Sequence, residues 1–88
     1  MRKTKIQAAR QALRAARRTE LLARREAGQS WDWYETARRS GWPSTRDRGE
    51  RAKLALEWAG RAAEAVPPLE AALSELYAAH RASSRGGA

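Results

Sequence analysis

Apolar and polar positions follow a helical period along most of the chain, and start and stop signals divide the pattern into four segments. Thr4 and Gln7 fit a capping box, which predicts that a first helix begins here. Gly28 is placed to end that segment as a C-terminal cap. Asp32 and Glu35 then offer a second start, for a short helix that stops at Gly41.

The second half of the chain predicts two further helices. Ser44 with Asp47 marks the third start, and the run Val66-Pro67-Pro68 closes that helix because a residue before proline disfavours the α region. Between residues 53 and 66 the apolar arc spans roughly 200°, wider than the stripe of about 100° that is typical of a surface helix. The fourth helix carries an apolar stripe at i, i+3, i+4, i+7 and i+8, made of Leu69, Ala72, Leu73, Leu76 and Tyr77.

These signals predict an all-α fold, a small domain of four helices over residues 1–82 with a flexible tail at 83–88. The wide apolar arc of the third helix needs a neighbour on two sides, so we expect a homodimer. The predicted interface combines this arc with the stripe of the fourth helix: Leu54, Trp58, Ala62, Leu69, Leu73 and Leu76.

Charge changes this picture because it is concentrated in one part of the chain. The 18 basic and 10 acidic side chains give a net charge of +8, and residues 1–18 alone contribute +7 with no acid. In that segment Arg10, Arg14 and Arg17 occupy one half of the helix, and the other half is apolar: Ile6, Ala8, Ala9, Ala12, Leu13, Ala15 and Ala16. Closely spaced cations on one side of a helix favour binding to a polyanion, because binding releases the counterions condensed on it. A solvated basic tail is the plainer interpretation.

Composition excludes several classes of protein. Without cysteine and with a single histidine, His80, the chain offers no disulfide, no thiolate metal site and too few ligands for a zinc site. No catalytic set or phosphate-binding loop is present, so we expect neither an enzyme nor a cofactor. No apolar run reaches the length of a membrane span, and the alanine-rich first helix lacks the bulky anchors of an interfacial one. The expectation is a cytoplasmic protein.

The centre of the chain resembles a known class of DNA-binding protein. The segment from Trp33 to Ser44 has an alanine, Ala37, four residues before a turn glycine, Gly41, followed by an aromatic, a proline and a serine. In this form residues 31–52 resemble the helix-turn-helix region of small actinobacterial DNA-binding proteins. The family places apolar residues six and nine positions after the turn glycine, where this chain has Asp47 and Glu50.

The resemblance implies that the second helix of the unit enters the major groove of DNA with its N-terminal end. The candidate nucleic-acid contacts are then the arginines of the first helix and of the central unit: Arg10, Arg14, Arg17, Arg38, Arg39, Arg46, Arg48 and Arg51. The tryptophans Trp31, Trp33 and Trp42 have two interpretations, a compact aromatic core or stacking on exposed bases.

The predicted function is binding of double-stranded DNA, as a small regulator or as a nucleoid, plasmid or phage accessory protein. Two alternatives stay open from the sequence. The chain could be a helical adaptor or inhibitor that binds an acidic protein partner, or it could bind RNA through the arginine-rich first helix.

Overall fold

The computed structural model describes residues 4–86, with side chains through residue 84. Within them the protein is all-α and has three helices: α1 (Lys5–Ser40), α2 (Thr45–Glu64) and α3 (Val66–Gly86). The fold class is as predicted, but the number of helices is three and not four.

The first two predicted helices are one continuous helix, α1. Its start is as predicted: the Thr4 hydroxyl accepts from the Gln7 amide at 3.1 Å, and the Gln7 side chain accepts from the Thr4 amide at 3.2 Å. Gly28 and Asp32, predicted to end one helix and begin the next, both lie inside α1. A glycine in a helix interior costs only about 1 kcal/mol relative to alanine, which is too little to break a helix that is packed along its length.

A tight turn over residues 41–44 reverses the chain. Gly41 has φ 68°, in the left-handed region that favours glycine, and the Trp42 amide donates to the Ala37 carbonyl at 3.0 Å. The Thr45 hydroxyl then donates to the Trp42 carbonyl at 2.7 Å, and α2 begins there. The predicted stop and restart are therefore confirmed, although Ser44 makes no side-chain hydrogen bond to the helix amides.

After the turn, α2 and α3 run back along α1 as one bent arm. The bend is at Ala65, just before Pro67 and Pro68, which cannot donate to the carbonyls of Ala63 and Glu64. Both α2 and α3 contact α1 and make few contacts with each other. The result is an antiparallel hairpin that measures 72 × 24 × 13 Å. Its radius of gyration is 20.2 Å, against about 12 Å for a compact chain of this length.

A heptad pattern of less exposed residues holds the two arms together. On α1 they recur at alternating intervals of three and four residues: Ile6, Ala9, Leu13, Ala16, Glu20, Ala23, Ala27, Ser30, Tyr34 and Ala37. On the returning arm the same intervals continue across the bend: Thr45, Arg48, Ala52, Ala55, Ala59, Ala62, Val66, Leu69, Leu73 and Leu76. This spacing is that of a two-stranded coiled coil. We call these two rows the seam.

The seam consists mainly of small side chains, which corrects the predicted core. Leu54, Leu56 and Trp58, expected to fill a wide buried arc, are 64%, 49% and 42% exposed. The predicted aromatic core is also absent, since Trp31, Trp33 and Trp42 are all exposed. Where alanines line the seam, in the half near the turn, the helix axes come close together and large side chains do not fit between them.

The C-terminal arm differs from expectation in two places. Ala62 is buried, and Leu69, Leu73 and Leu76 are half-buried in the seam, so four of the six predicted dimer residues pack against α1 of the same chain. Leu54 and Trp58 remain on the surface. The predicted flexible tail is helical through Gly86, while residues 87 and 88 lie outside the described part of the chain.

Candidate nucleic-acid interface

The seam divides the surface of the hairpin into two broad faces. On one side Trp31 and Tyr34 of α1 share an open concavity with Gly49 and Lys53 of α2. Arg17 and Glu70 meet on this side as well, with Nη2 and Oε1 3.9 Å apart. On the other side Glu26 and Ser30 share a concavity with Arg51, Leu54 and Trp58. Heptad register extends these two assignments along both arms, because residues seven apart lie on the same side of a coiled coil.

Charge is distributed very unequally between these faces. The first face carries eight cations, Arg10, Arg14, Arg17, Arg24, Arg38, Arg46, Lys53 and Arg81. Against them stand two carboxylates, Glu35 and Glu70, so the net charge is +6. We call it the cationic face. The opposite face, which we call the neutral face, carries three cations and three carboxylates: Lys5, Arg51, Arg61, Glu26, Asp47 and Glu75.

The arginines of α1 form a continuous row that the sequence only partly indicated. All eight within the helix lie on the cationic face or on the adjoining outer edge of α1: Arg10, Arg14, Arg17, Arg18, Arg24, Arg25, Arg38 and Arg39. In heptad positions they occupy an arc of about 100° and extend over about 44 Å of helix. All eight are exposed. We call this row the arginine stripe.

Few carboxylates neutralise the stripe. Arg24 pairs with Glu20 and Arg38 with Glu35, each at 3.1 Å. The hydrogen bond from Arg38 to Glu35, together with the charge of that carboxylate, raises the pKa of the Arg38 guanidinium above its ordinary value. Among the described residues, Arg10, Arg14, Arg18, Arg25 and Arg39 have no carboxylate within 4.0 Å. Their guanidinium groups are available for planar, two-point contacts with phosphate oxygens.

The arginines at the start of α2 do not project together from its N-terminal end, as insertion into the major groove would require. Arg46 lies on the cationic face, with Nε 3.7 Å from Glu50 Oε1. Arg48 lies in the seam, where its guanidinium carbon is 5.0 Å from the Trp33 ring and 5.3 Å from the Trp42 ring. Its Nε donates to the Ser44 hydroxyl at 3.0 Å. Arg48 therefore stabilises the turn through cation–π contacts. Arg51 lies on the neutral face.

The structure does not confirm a helix-turn-helix centre. In such a unit two helices cross at about 90–120° around a short turn. Here α1 and α2 lie side by side, with the Tyr34 ring against Gly49 near the turn and Arg17 near Glu70 far from it. An alanine four residues before a turn glycine thus also fits an antiparallel hairpin, where Ala37 is buried in the seam.

The aromatic residues near the turn are exposed and paired. The rings of Trp31 and Tyr34 are 5.5 Å apart, and those of Trp33 and Trp42 are 6.1 Å apart. Trp31 lies on the cationic face, seven residues after Arg24 and seven before Arg38, so an aromatic interrupts a heptad row of arginines. Glycine is favoured at position 49 beside this pair, because a Cβ there would lie 2.9 Å from Tyr34 Cε2 and the ring would have to shift.

Neither a metal site nor a membrane span is found among the described residues. Residues 4–86 contain no group of three or more His, Asp or Glu side chains suited to a metal ion. None of the helices in this range combines the length and the hydropathy needed to cross a bilayer. Comparisons of the chain with protein-family models, with curated proteins and with solved structures find no match.

Proposed function

We propose that this chain binds double-stranded DNA by laying its cationic face along the phosphate backbone, as an accessory protein of the nucleoid, a plasmid or a phage. The observation that carries the proposal is the arginine stripe. Eight exposed arginines share one third of a helix over about 44 Å, and five of them have no carboxylate within 4.0 Å in the described part of the chain. A helix that needed arginine only for solubility would carry it on its other exposed positions too.

The shape of the hairpin favours contact with phosphates over readout of bases. It is 24 Å across, about twice the width of the major groove of B-DNA. The cationic face is therefore too wide to enter the groove and rests on the backbone. Phosphate contacts carry no direct sequence information. We accordingly expect affinity that varies little with sequence and steeply with salt.

Titration of fluorescent duplexes with the full chain at several salt concentrations tests the proposal. If about six phosphates are neutralised, the logarithm of the binding constant falls with the logarithm of salt concentration with a slope of about −5. Absence of binding at 100 μM protein and physiological salt contradicts the proposal, because non-specific DNA binders typically reach 10⁻⁴–10⁻⁶ M. Tighter binding to duplex RNA favours the RNA alternative, and no binding to any nucleic acid favours the adaptor.

A pair of matched variants tests whether the stripe itself makes the contacts. Replacement of Arg10, Arg14 and Arg18 by alanine removes three unpaired cations of the stripe. At 0.15 M salt the affinity should fall about 100-fold, and the salt slope should become shallower by about 3.

The control replaces Lys5, Arg51 and Arg61, which removes the same charge from the neutral face. Its affinity for a short duplex should stay within about threefold of the unmodified chain, because charges beyond about 8 Å are screened at this salt. Equal losses in both variants would show that total charge, and not the stripe, determines binding. This control also tests the sequence-based prediction that Arg51 contacts DNA.

A further inference from the structure

Most of the large apolar surface on the neutral face has no partner within the chain. Leu22, Trp33, Leu54 and Trp58 all lie there and are 53%, 54%, 64% and 42% exposed. Toward the free end of the hairpin the same face carries eight small apolar residues, which are Ala8, Ala12, Ala15, Ala65, Pro68, Ala72, Ala79 and Ala82. Several large apolar side chains exposed on one face, with polar residues around them, are typical of an interaction site.

We propose that the neutral face binds a second copy of this chain, so that two hairpins form a four-helix bundle. Charge selects this occupant. A two-fold interface brings a surface against itself, so a surface of net charge zero meets no net repulsion. The cationic face, at +6, would repel its own copy. A strongly acidic or basic protein would find no net electrostatic attraction on the neutral face, where three cations are interspersed with three carboxylates.

The area available is sufficient for a stable dimer. The exposed parts of the two tryptophans and two leucines amount to on the order of 400 Å² per copy. Alanines flank them along a hairpin that is 72 Å long. A standard interface buries about 800 Å² on each partner. The four large side chains therefore supply about half of that area, and the small residues beyond them, toward the free end of the hairpin, allow the second copy to approach closely enough to add the remainder.

Together with the proposed function, on which this part of the inference rests, the dimer determines how many DNA duplexes are bound at once. When two neutral faces are buried against each other, the two cationic faces point away from the dimer on opposite sides. One dimer would then hold two DNA duplexes, one on each side. The dimer itself does not depend on DNA binding, so the two inferences fail separately.

The mass of the full chain in solution tests the dimer, by sedimentation equilibrium over a range of concentrations. The chain has a mass of 9.8 kDa, so we expect about twice this value. The double variant Leu22→Glu, Leu54→Glu places four carboxylates in the proposed interface of each dimer and should sediment as a monomer. Its control is Leu21→Glu, Leu56→Glu, at leucines 51% and 49% exposed on the cationic face, which should remain dimeric.

Two outcomes of this experiment would overturn the proposed dimer. An unmodified chain that is monomeric at 100 μM overturns the proposal. So does a control that dissociates as readily as the neutral-face variant, since the interface would then lie elsewhere. Circular dichroism identifies a variant that has lost its helices.

A second measurement covers the case in which the charged variant does not fold. Because the chain has no cysteine, a single one can be introduced and spin-labelled at will. Gln29→Cys lies on the neutral face and Gly28→Cys, next to it, on the cationic face, where a side chain meets open space. We expect an immobilised label at residue 29 and a mobile one at residue 28. Equal mobility at both positions overturns the proposal.

Co-sedimentation of two differently labelled duplexes separates the dimer from the proposed function. The unmodified chain should carry both duplexes into one complex, whereas a monomeric Leu22→Glu, Leu54→Glu variant should still bind single duplexes without joining them. A dimer that binds no duplex would refute the proposed function and leave the dimer standing. A monomeric variant that still joins duplexes would refute the dimer as the source of the two binding sides.

Discussion

Leu21, Leu22 and Ala23 are consecutive on α1, yet the two leucines are more than half exposed while the alanine is fully buried. The same inversion occurs on α2, where Leu54 is 64% exposed beside the buried Ala55. In the half of the hairpin near the turn the seam is built mainly from small side chains and the outer surface carries the large ones, whereas Leu13, Leu69 and Leu73 lie in the seam nearer the free end. Near the turn, side-chain size therefore fails to indicate which side of a helix faces its neighbour.

Near the turn, close approach of the two helices, and not the burial of large side chains, determines how the arms pack. Nine of the twenty seam positions are alanine. Alanine loses little side-chain entropy on burial and lets helix axes approach to the short end of the usual 8–10 Å. In this part of the hairpin large apolar residues are thereby left for the outer surface: Leu22, Trp33, Leu54 and Trp58 on the neutral face, Leu21, Trp31 and Leu56 on the cationic face, and Trp42 at the turn. Substitutions in the seam and substitutions on the outer surface both test this distribution of small and large side chains.

The largest effect is expected from enlarging a seam residue. Ala23→Leu adds three carbon atoms at a site with no exposed surface, so the arms must separate or the side chain must strain. The free energy of unfolding should fall by about 3 kcal/mol, or the Tm by about 15 °C. Urea denaturation followed by circular dichroism measures it. Leu21→Ala, which removes a larger side chain from the surface, should change stability by less than about 0.5 kcal/mol. A costlier loss at Leu21 would reverse the comparison.

Most starts and ends of the helices were predictable because the sequence signals that set them act locally. The capping box of Thr4 and Gln7 and the left-handed Gly41 depend on a few neighbouring backbone atoms, and the prolines after Val66 act on their own turn. Gly28 misled the prediction because its effect depends on the rest of the fold. As a possible cap it ends an isolated helix, but the packed seam on both sides of it keeps α1 continuous.

The arginine stripe was predictable at its two ends but not in its middle, since Arg38 and Arg39 were predicted through the resemblance. Arg10, Arg14 and Arg17 share a side on any helical wheel, as the structure confirms. Arg24 and Arg25 were missed, although they follow Arg17 and Arg18 by seven residues within the predicted first helix. Arg38 and Arg39 follow after a further fourteen residues and join the same row only because α1 continues through Gly28.

Residues that depend on the pairing of the two arms could not be predicted. Arg48 sits between two tryptophans because the turn brings Trp33 and Trp42 around it, and no spacing along the chain encodes that contact. The two faces likewise exist only in the paired hairpin. Their charges of +6 and zero emerge when positions on both arms are combined in the register that the seam imposes.

The next effect concerns a glycine in close contact across the arms. In Gly49→Ala the new Cβ would lie 2.9 Å from Tyr34 Cε2, so the ring must shift away from Trp31. The expected loss of about 1 kcal/mol is what remains after alanine's better helix propensity is counted. Thermal unfolding measures the loss, and near-ultraviolet circular dichroism reports the displaced rings. An increase in stability with an unchanged aromatic signal would contradict the proposed close approach.

A glycine outside the contact should respond in the opposite direction and somewhat more weakly. Gly28 lies mid-helix, and a Cβ added there would have no neighbour within 4 Å, so Gly28→Ala gains helix propensity without a clash. We expect unfolding to become less favourable by about 0.8 kcal/mol. Gly60→Ala, in equally open space on α2, is a second instance and should behave in the same way. Destabilisation by either substitution would indicate a contact on that surface, which mass measurements of the same variant would identify.

The smallest effect on stability is expected from the ion pair between the arms, although its effect on binding should be clear. Arg17 and Glu70 are 3.9 Å apart and more than half exposed, so Glu70→Gln should change the free energy of unfolding by less than about 0.5 kcal/mol. The substitution removes one of two carboxylates from the cationic face and frees Arg17. Duplex affinity at 0.15 M salt should rise about fivefold, as for one added phosphate contact.

The control for this substitution is Glu75→Gln, which makes the same change of charge on the neutral face of α3 and should leave affinity nearly unchanged. Anisotropy titrations of both variants at two salt concentrations decide between a local and a general effect. If both raise the affinity equally, DNA responds to net charge alone and the two faces do not differ in binding. If only Glu70→Gln does so, with a slope steeper by about 1, Arg17 joins the residues that contact phosphate.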